Sequence, residues 1–252
     1  VSLRLAGRPV ERLCYATGVV LIASGLAHLA VFAVDGGPWN GPVSWRKPVT
    51  FGVSFGVTLI AVAWVTSYIR IGARARAALL GVFAADCVVE VGGITLQAWR
   101  RVPSHLNMET GFDASVSTVL AGGGWVLVVV LSAFAVAALR RAPAGPPGMP
   151  LAVRAGFALL LAALGSGVAM IARGVVLART GQQVAAYEST AWLKPLHFVT
   201  LHAVLVLPVL AWLLSRGRRA PRPETRERIV AAATAGYAGA VAATGVWAVM
   251  TY

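Results

Sequence analysis

AALLGVFAADCVVEVGGITLQAWRRVPSHLNMETGFD, residues 77 to 113, opens as a membrane span and closes as a polar loop. The part up to Trp99 exceeds the ~20 mostly apolar residues that carry a helix across about 30 Å of hydrocarbon. It nevertheless holds Asp86, Glu90 and Gln97. At 100° per residue these three, with Gly93 and Arg100, fall within an arc of roughly 80° on one helix face. That stripe cannot face lipid, because an unpaired charged group at the bilayer centre costs several kcal/mol. The pattern therefore predicts a helix inside a bundle of other helices, with the stripe turned inward.

The rest of the chain supplies such helices. Hydrophobic residues make up 58% of it and charged ones 12%, with a mean hydropathy of +0.76, against about 25% charged in soluble domains. Apolar runs at about 10–34, 47–69, 77–99, 115–139, 151–173, 194–215 and 228–251 predict an all-α polytopic membrane protein. The expected architecture is one domain, a single bundle of seven transmembrane helices over residues 1–252. Arg4, Arg8 and Arg12 precede a first run longer than a signal-peptide core, so that run is expected to be a retained helix. Val1 and the Ala, Gly, Val and Arg bias fit a high-GC bacterial gene with an alternative start codon.

Of the 22 basic residues, fifteen fall at helix ends and loops on the amino-terminal side and seven on the other. The positive-inside rule then predicts a cytoplasmic amino terminus and an extracytoplasmic Tyr252, in a bacterial plasma (inner) membrane. The net charge of +13 reads as a topogenic signal and an attraction to anionic membrane lipid, and no nucleic-acid partner is expected even for the basic loop SRGRRAPRPETRER. Cys14 and Cys87 sit within spans and carry no zinc spacing. Gly52 and Gly56 form a GxxxG on the second span, which suits close helix contact.

Other polar side chains sit at matching depths. His28 is on the first span, His197 and His202 are on the sixth, and His105 is in the loop after the third. With Glu90 they predict a shared pocket, opening outward and lined by the first, third and sixth spans. Asp86, Glu90 and His202 are the expected acid, base or ligand groups, and His28, His105, His197 and His202 the expected metal ligands. A b-type haem held by His28 and His202 is an alternative to a divalent metal. Positions 197 and 202 are 140° apart on an ideal helix, unlike an HxxxH pair that converges on one ion. Arg46, Gln97, Arg100, Asn107 and Lys194 are the expected grip on the anionic end of a lipophilic small molecule, since arginine holds a carboxylate or phosphate in a two-pronged bond. Trp39, Trp45, Trp99 and Trp192 suit an aromatic belt at headgroup level.

Three blocks, GPVSWRKPVTFGVSFG (41–56), LQAWRRVPSHLN (96–107) and HFVTLHAVLVLP (197–208), resemble recurrent blocks of a family of bacterial seven-helix integral membrane proteins. That resemblance covers most of the chain and brings no activity with it. The blocks favour Gly after the first arginine and Phe in the SHFN pattern, so Arg101 and Leu106 depart from them. Three function classes fit: a metal- or haem-assisted membrane enzyme, a proton-coupled transporter or sensor using Asp86 and Glu90, and a structural subunit of a membrane complex. A retinal protein is disfavoured, because the last span lacks lysine, and GSG at 165–167 alone is a weak serine-hydrolase signal.

Overall fold

A computed structural model describes residues 8–189, 191–216 and 220–251. Arg4, Arg218, Arg219, Val1 and Tyr252 lie outside the described residues. The regular structure of the described residues is all helix, its α-helices in the order α1 (Pro9–Asp35), α2 (Arg46–Val65), α3 (Ala73–Trp99), α4 (Gly111–Arg140), α5 (Met149–Arg179), α6 (Gln183–Glu188), α7 (Lys194–Leu214) and α8 (Pro223–Thr251). All but the short α6 are long and apolar enough to cross a membrane. This is a multi-pass membrane protein by the length and composition of its helices. The helices run a few residues beyond the expected spans at most ends, taking in polar residues such as Arg76 and Asp113. The one-and-a-half-turn α6 falls in what the sequence presents as a loop.

The chain gathers into two compact units. Among the described residues the first comprises 8–63 and 73–130, hence α1, most of α2, α3 and the first two-thirds of α4. In it α1 packs against α2 through Gly18 and Gly25 and against α3 through Glu11, Cys14 and His28. The buried residues of α1 are Glu11, Cys14, Gly18, Leu21, Gly25 and His28. They alternate by three and four, the spacing that keeps one seam facing a partner along a straight contact. Small residues let the backbones meet there. A Cβ placed on Gly56 would lie 2.5 Å from the Gly18 carbonyl oxygen, and one on Gly52 would lie 2.8 Å from the Gly25 Cα. Helices in lipid associate through such van der Waals contact rather than through hydrophobic burial, which explains why the GxxxG pair sits at the crossing. Outward-facing Val19, Val20 and Leu26 of α1 are exposed, as suits a lipid-facing side.

The second unit contains residues 64–72 together with the last third of α4 and α5 through α8. Here α5 and α7 pack most closely, with Gly156 at the crossing. A Cβ on Gly156 would stand 2.8 Å from the Val204 Cα. Tyr237 of α8 donates its hydroxyl to the Val199 carbonyl, 2.7 Å away. Along α8 the buried residues are Val230 and Ala248, among those described.

The α3 terminus closes with a left-handed residue. The Arg101 N–H donates to the Ala98 carbonyl and the Val102 N–H to the Gln97 carbonyl, both at 3.1 Å. This is a Schellman cap, whose residue after the cap adopts the left-handed conformation that glycine enters most easily. Arg101 occupies that position at φ 60°. Its guanidinium donates to both Asp35 carboxylate oxygens at 2.9 and 2.7 Å, tying the cap to the end of α1.

Gly56→Ala is expected to lower stability by about 1–3 kcal/mol, the range for overpacking a close contact. Its added methyl meets the fixed Gly18 carbonyl oxygen as well as the Ile22 side chain, so moving the side chain alone does not relieve it. Thermal unfolding in detergent, followed by tryptophan fluorescence, measures the change.

Candidate functional site

The carboxyl pair is in the first unit. Asp86 is the middle residue of α3, and Glu90 lies one turn closer to the Trp99 end. Both are buried, at 8% and 3% exposure. They face α4, whose buried residues at this end are Asp113, Ser117, Leu120 and Gly123. Gly123 is what makes room for them. A Cβ built on it would come within 2.3 Å of Glu90 Oε1 and 2.9 Å of Asp86 Oδ1. Among the described residues neither carboxyl has an ion-pair partner, and Asp86 Oδ2 is buried without a hydrogen-bond partner. Buried acids are ordinarily paired or hydrogen-bonded, so this arrangement is an exception that asks for a functional reason.

One end of the stripe is the opposite case, a fully satisfied network. Thr110 caps α4: its Oγ accepts the Asp113 N–H at 3.1 Å and donates to Asp113 Oδ2 at 2.6 Å. The Gln97 amide donates to Asp113 Oδ1 at 2.9 Å, and Arg100 donates to Gln97 Oε1 and pairs with the same Asp113 oxygen. The Arg100 guanidinium also lies over the Phe112 ring, 4.7 Å from its centre. Gln97 and Arg100 are therefore engaged with α4 and do not project into an open pocket. Asn107 is engaged too. Its N–H donates to Ser117 Oγ, its side-chain amide donates to the Pro103 carbonyl, and its Oδ1 accepts the Glu109 N–H. These residues fold the loop between α3 and α4, where the sequence alone suggested a grip on an anion. Arg46 donates to the Trp39 carbonyl at 3.2 Å, and Lys194 stands exposed at the start of α7 in the second unit.

The histidines are held separately. His28 Nδ1 lies 2.7 Å from the Ser24 carbonyl, so it carries the proton and donates. Its Nε2 accepts the Trp99 indole N–H at 3.1 Å. A metal or haem ligand needs a free imidazole lone pair, and His28, with both ring nitrogens engaged, offers none in this arrangement. Its ring packs among Trp45 and Trp99. Trp45 is itself buried, its N–H donating to Asp35 Oδ2 at 2.6 Å, so it is an internal residue and not part of a lipid-facing belt. Beside this cluster opens a cleft of about 460 Å³, walled by Val31 and Val34 of α1 with Asp35, Trp45, Trp99 and Arg101. The α3 carboxyl pair does not line it.

In the second unit, His197 Nδ1 meets the Ala163 carbonyl at 2.8 Å and Ser166 Oγ at 3.1 Å. Gly167 leaves space for the ring. Serine beside histidine suggests a nucleophile and its base, but the carbonyl requires Nδ1 to be the protonated nitrogen, and Ser166 already donates to the same carbonyl at 2.8 Å. The pair works as a clasp between α5 and α7. His202 Nδ1 bonds the Phe198 carbonyl at 2.7 Å, one turn back on its own helix. Among the described residues no group of three or more His, Cys, Asp or Glu side chains is arranged to hold a metal ion.

His105 lies in the loop between α3 and α4. Lys47 Nζ donates to Ser104 Oγ at 3.5 Å, which leaves the serine proton for His105 Nδ1 at 3.0 Å. Desolvation, and then the Lys47 charge, hold this imidazole below its ordinary range, at about 4. No family model, curated protein or solved structure matches the chain.

Two outcomes follow from this geometry. Gly123→Ala is expected to destabilise the protein by about 1–3 kcal/mol through overpacking against the carboxyls, whereas Gly122→Ala, whose methyl meets open space, is neutral or stabilising. Melting of the two variants in detergent compares them. A folded-state imidazole at about 4 against about 6.5 unfolded means the unfolded chain binds the extra proton first. His105 therefore contributes stability that is complete above pH ~6.5 and lost as pH falls towards 4. The melting temperature of the wild type is expected to drop across that window more steeply than that of His105→Gln.

Proposed function

We propose that this is a multi-pass protein of a bacterial plasma membrane, with its amino terminus in the cytoplasm, that binds and releases protons at Asp86 and Glu90 as its helices change state. A proton-coupled transporter or a sensor works in this way. The observation that carries the proposal is the pair itself: two buried carboxyls one turn apart, at the middle of a bilayer-length helix, seated on a glycine and, among the described residues, without a cation partner. Two ionised carboxylates in that place would repel each other and lack solvation, whereas a pair that keeps a proton escapes the repulsion and halves the buried charge. A group that only held helices together would be satisfied, as Gln97, Arg100 and Asp113 are. The cytoplasmic amino terminus is supported by the distribution of basic residues and the bacterial membrane by the composition.

An anionic-substrate enzyme draws less support, because Gln97, Arg100 and Asn107 are committed to the α3–α4 loop and His28 has no free ring nitrogen.

Infrared difference spectroscopy of the purified protein across pH tests the proposal. The wild type is expected to show a protonated-carboxyl band that changes with pH and that Glu90→Gln and Asp86→Asn each alter, both variants staying folded because an amide mimics the protonated acid in shape. A spectrum the same in wild type and both variants rules the proposal out, and unfolding of both variants assigns the pair to structure alone.

A further inference from the structure

We infer, resting on the proton-binding role of Asp86 and Glu90, that Leu120 is the gate on the route between the carboxyl pair and the Trp99 end of α3. Glu90 and Gln97 share one face of α3 but are seven residues apart, about 10 Å along the axis, too far for one proton hop. Gly93 lies between them on that face. The notch it leaves is filled from α4 by Leu120, whose Cδ2 would stand 2.8 Å from a Cβ on Gly93. Leu120 is itself 2% exposed.

The same order therefore repeats on both helices. On α3 it runs Gln97, Gly93, Glu90, and on α4 it runs Asp113, Leu120, Gly123, with polar contacts above and the carboxyl pair below. One isobutyl group separates two polar layers. A turn of Leu120 into another rotamer empties the glycine notch, and water entering there finds the Gln97 amide on one side and the Glu90 carboxyl on the other, the polar partners a buried water needs. In the other direction along α3, Asp86 is followed by buried Phe83 and Leu80.

The test uses the full chain in liposomes, with the Glu90-dependent carboxyl band followed after a rapid change of external pH. Leu120→Ala is expected to speed equilibration at least about tenfold, equivalent to lowering the barrier by one factor of ten in rate. Leu120→Val should fall between it and the wild type. Val119→Ala, at an exposed neighbour, should keep the wild-type rate. Equal rates in all four proteins overturn the gate while leaving the proton site in place. Absence of a pH-sensitive, Glu90-dependent band in the wild type removes the proton site and the gate with it. Should Leu120→Ala fail to fold, Leu120→Val decides alone, and an unchanged rate in it is equally fatal.

Discussion

Two carboxyl groups at the centre of a bilayer-length helix must be hidden from lipid, and the first unit is built around that constraint. Hiding them takes a second helix close enough to cover the pair and bare enough not to collide with it. Gly123 meets both demands, because its missing Cβ is the space that Glu90 Oε1 occupies. A close α3–α4 approach at Gly123 in turn sets the register above it. Leu120 falls opposite Gly93, and Asp113 falls opposite Gln97. The loop from Arg100 to Thr110 then has to close a short distance, and Asn107, Ser117 and Thr110 close it with side-chain bonds to backbone.

The contrast between the two layers of the stripe is chemical. Near the helix end, Asp113 is met by a hydroxyl, an amide and a guanidinium, so its charge is shared among several donors. Such a network holds two helices and a loop together and leaves little for a ligand to bind. At mid-helix, Asp86 and Glu90 receive no comparable partner among the described residues. Polar groups of similar sequence character thus divide into a hydrogen-bonded set and an unpaired set by what surrounds them.

The second unit relies on a different economy of contact. Gly156 allows α5 and α7 to meet backbone to backbone, and Gly167 admits the His197 ring, which clasps the Ala163 carbonyl. His202 returns to its own helix at Phe198. Intramembrane histidines of this kind satisfy helix backbone and fix helix spacing. Their hydrogen bonds explain why a count of histidines at matching depths overstates the case for a metal centre.

The seven long helices and the stripe from Asp86 to Arg100 are legible in the sequence alone, because hydrophobic length and a 100° period are properties of a single segment. The GxxxG contact of α2 is legible for the same reason. Single-segment properties do not say which residue of another helix stands opposite. That Arg100 meets Asp113 and Arg101 meets Asp35, that His28 is enclosed by Trp45 and Trp99, and that Gly123 receives Glu90 are all outcomes of helix register. Candidate ligands such as Gln97, Arg100 and Asn107 carry the same side chains whether they bind a substrate or a neighbour. Only tertiary structure decided which neighbours they meet, because the partner of a polar group is chosen by three-dimensional proximity, and proximity between separate helices is not written in either helix by itself.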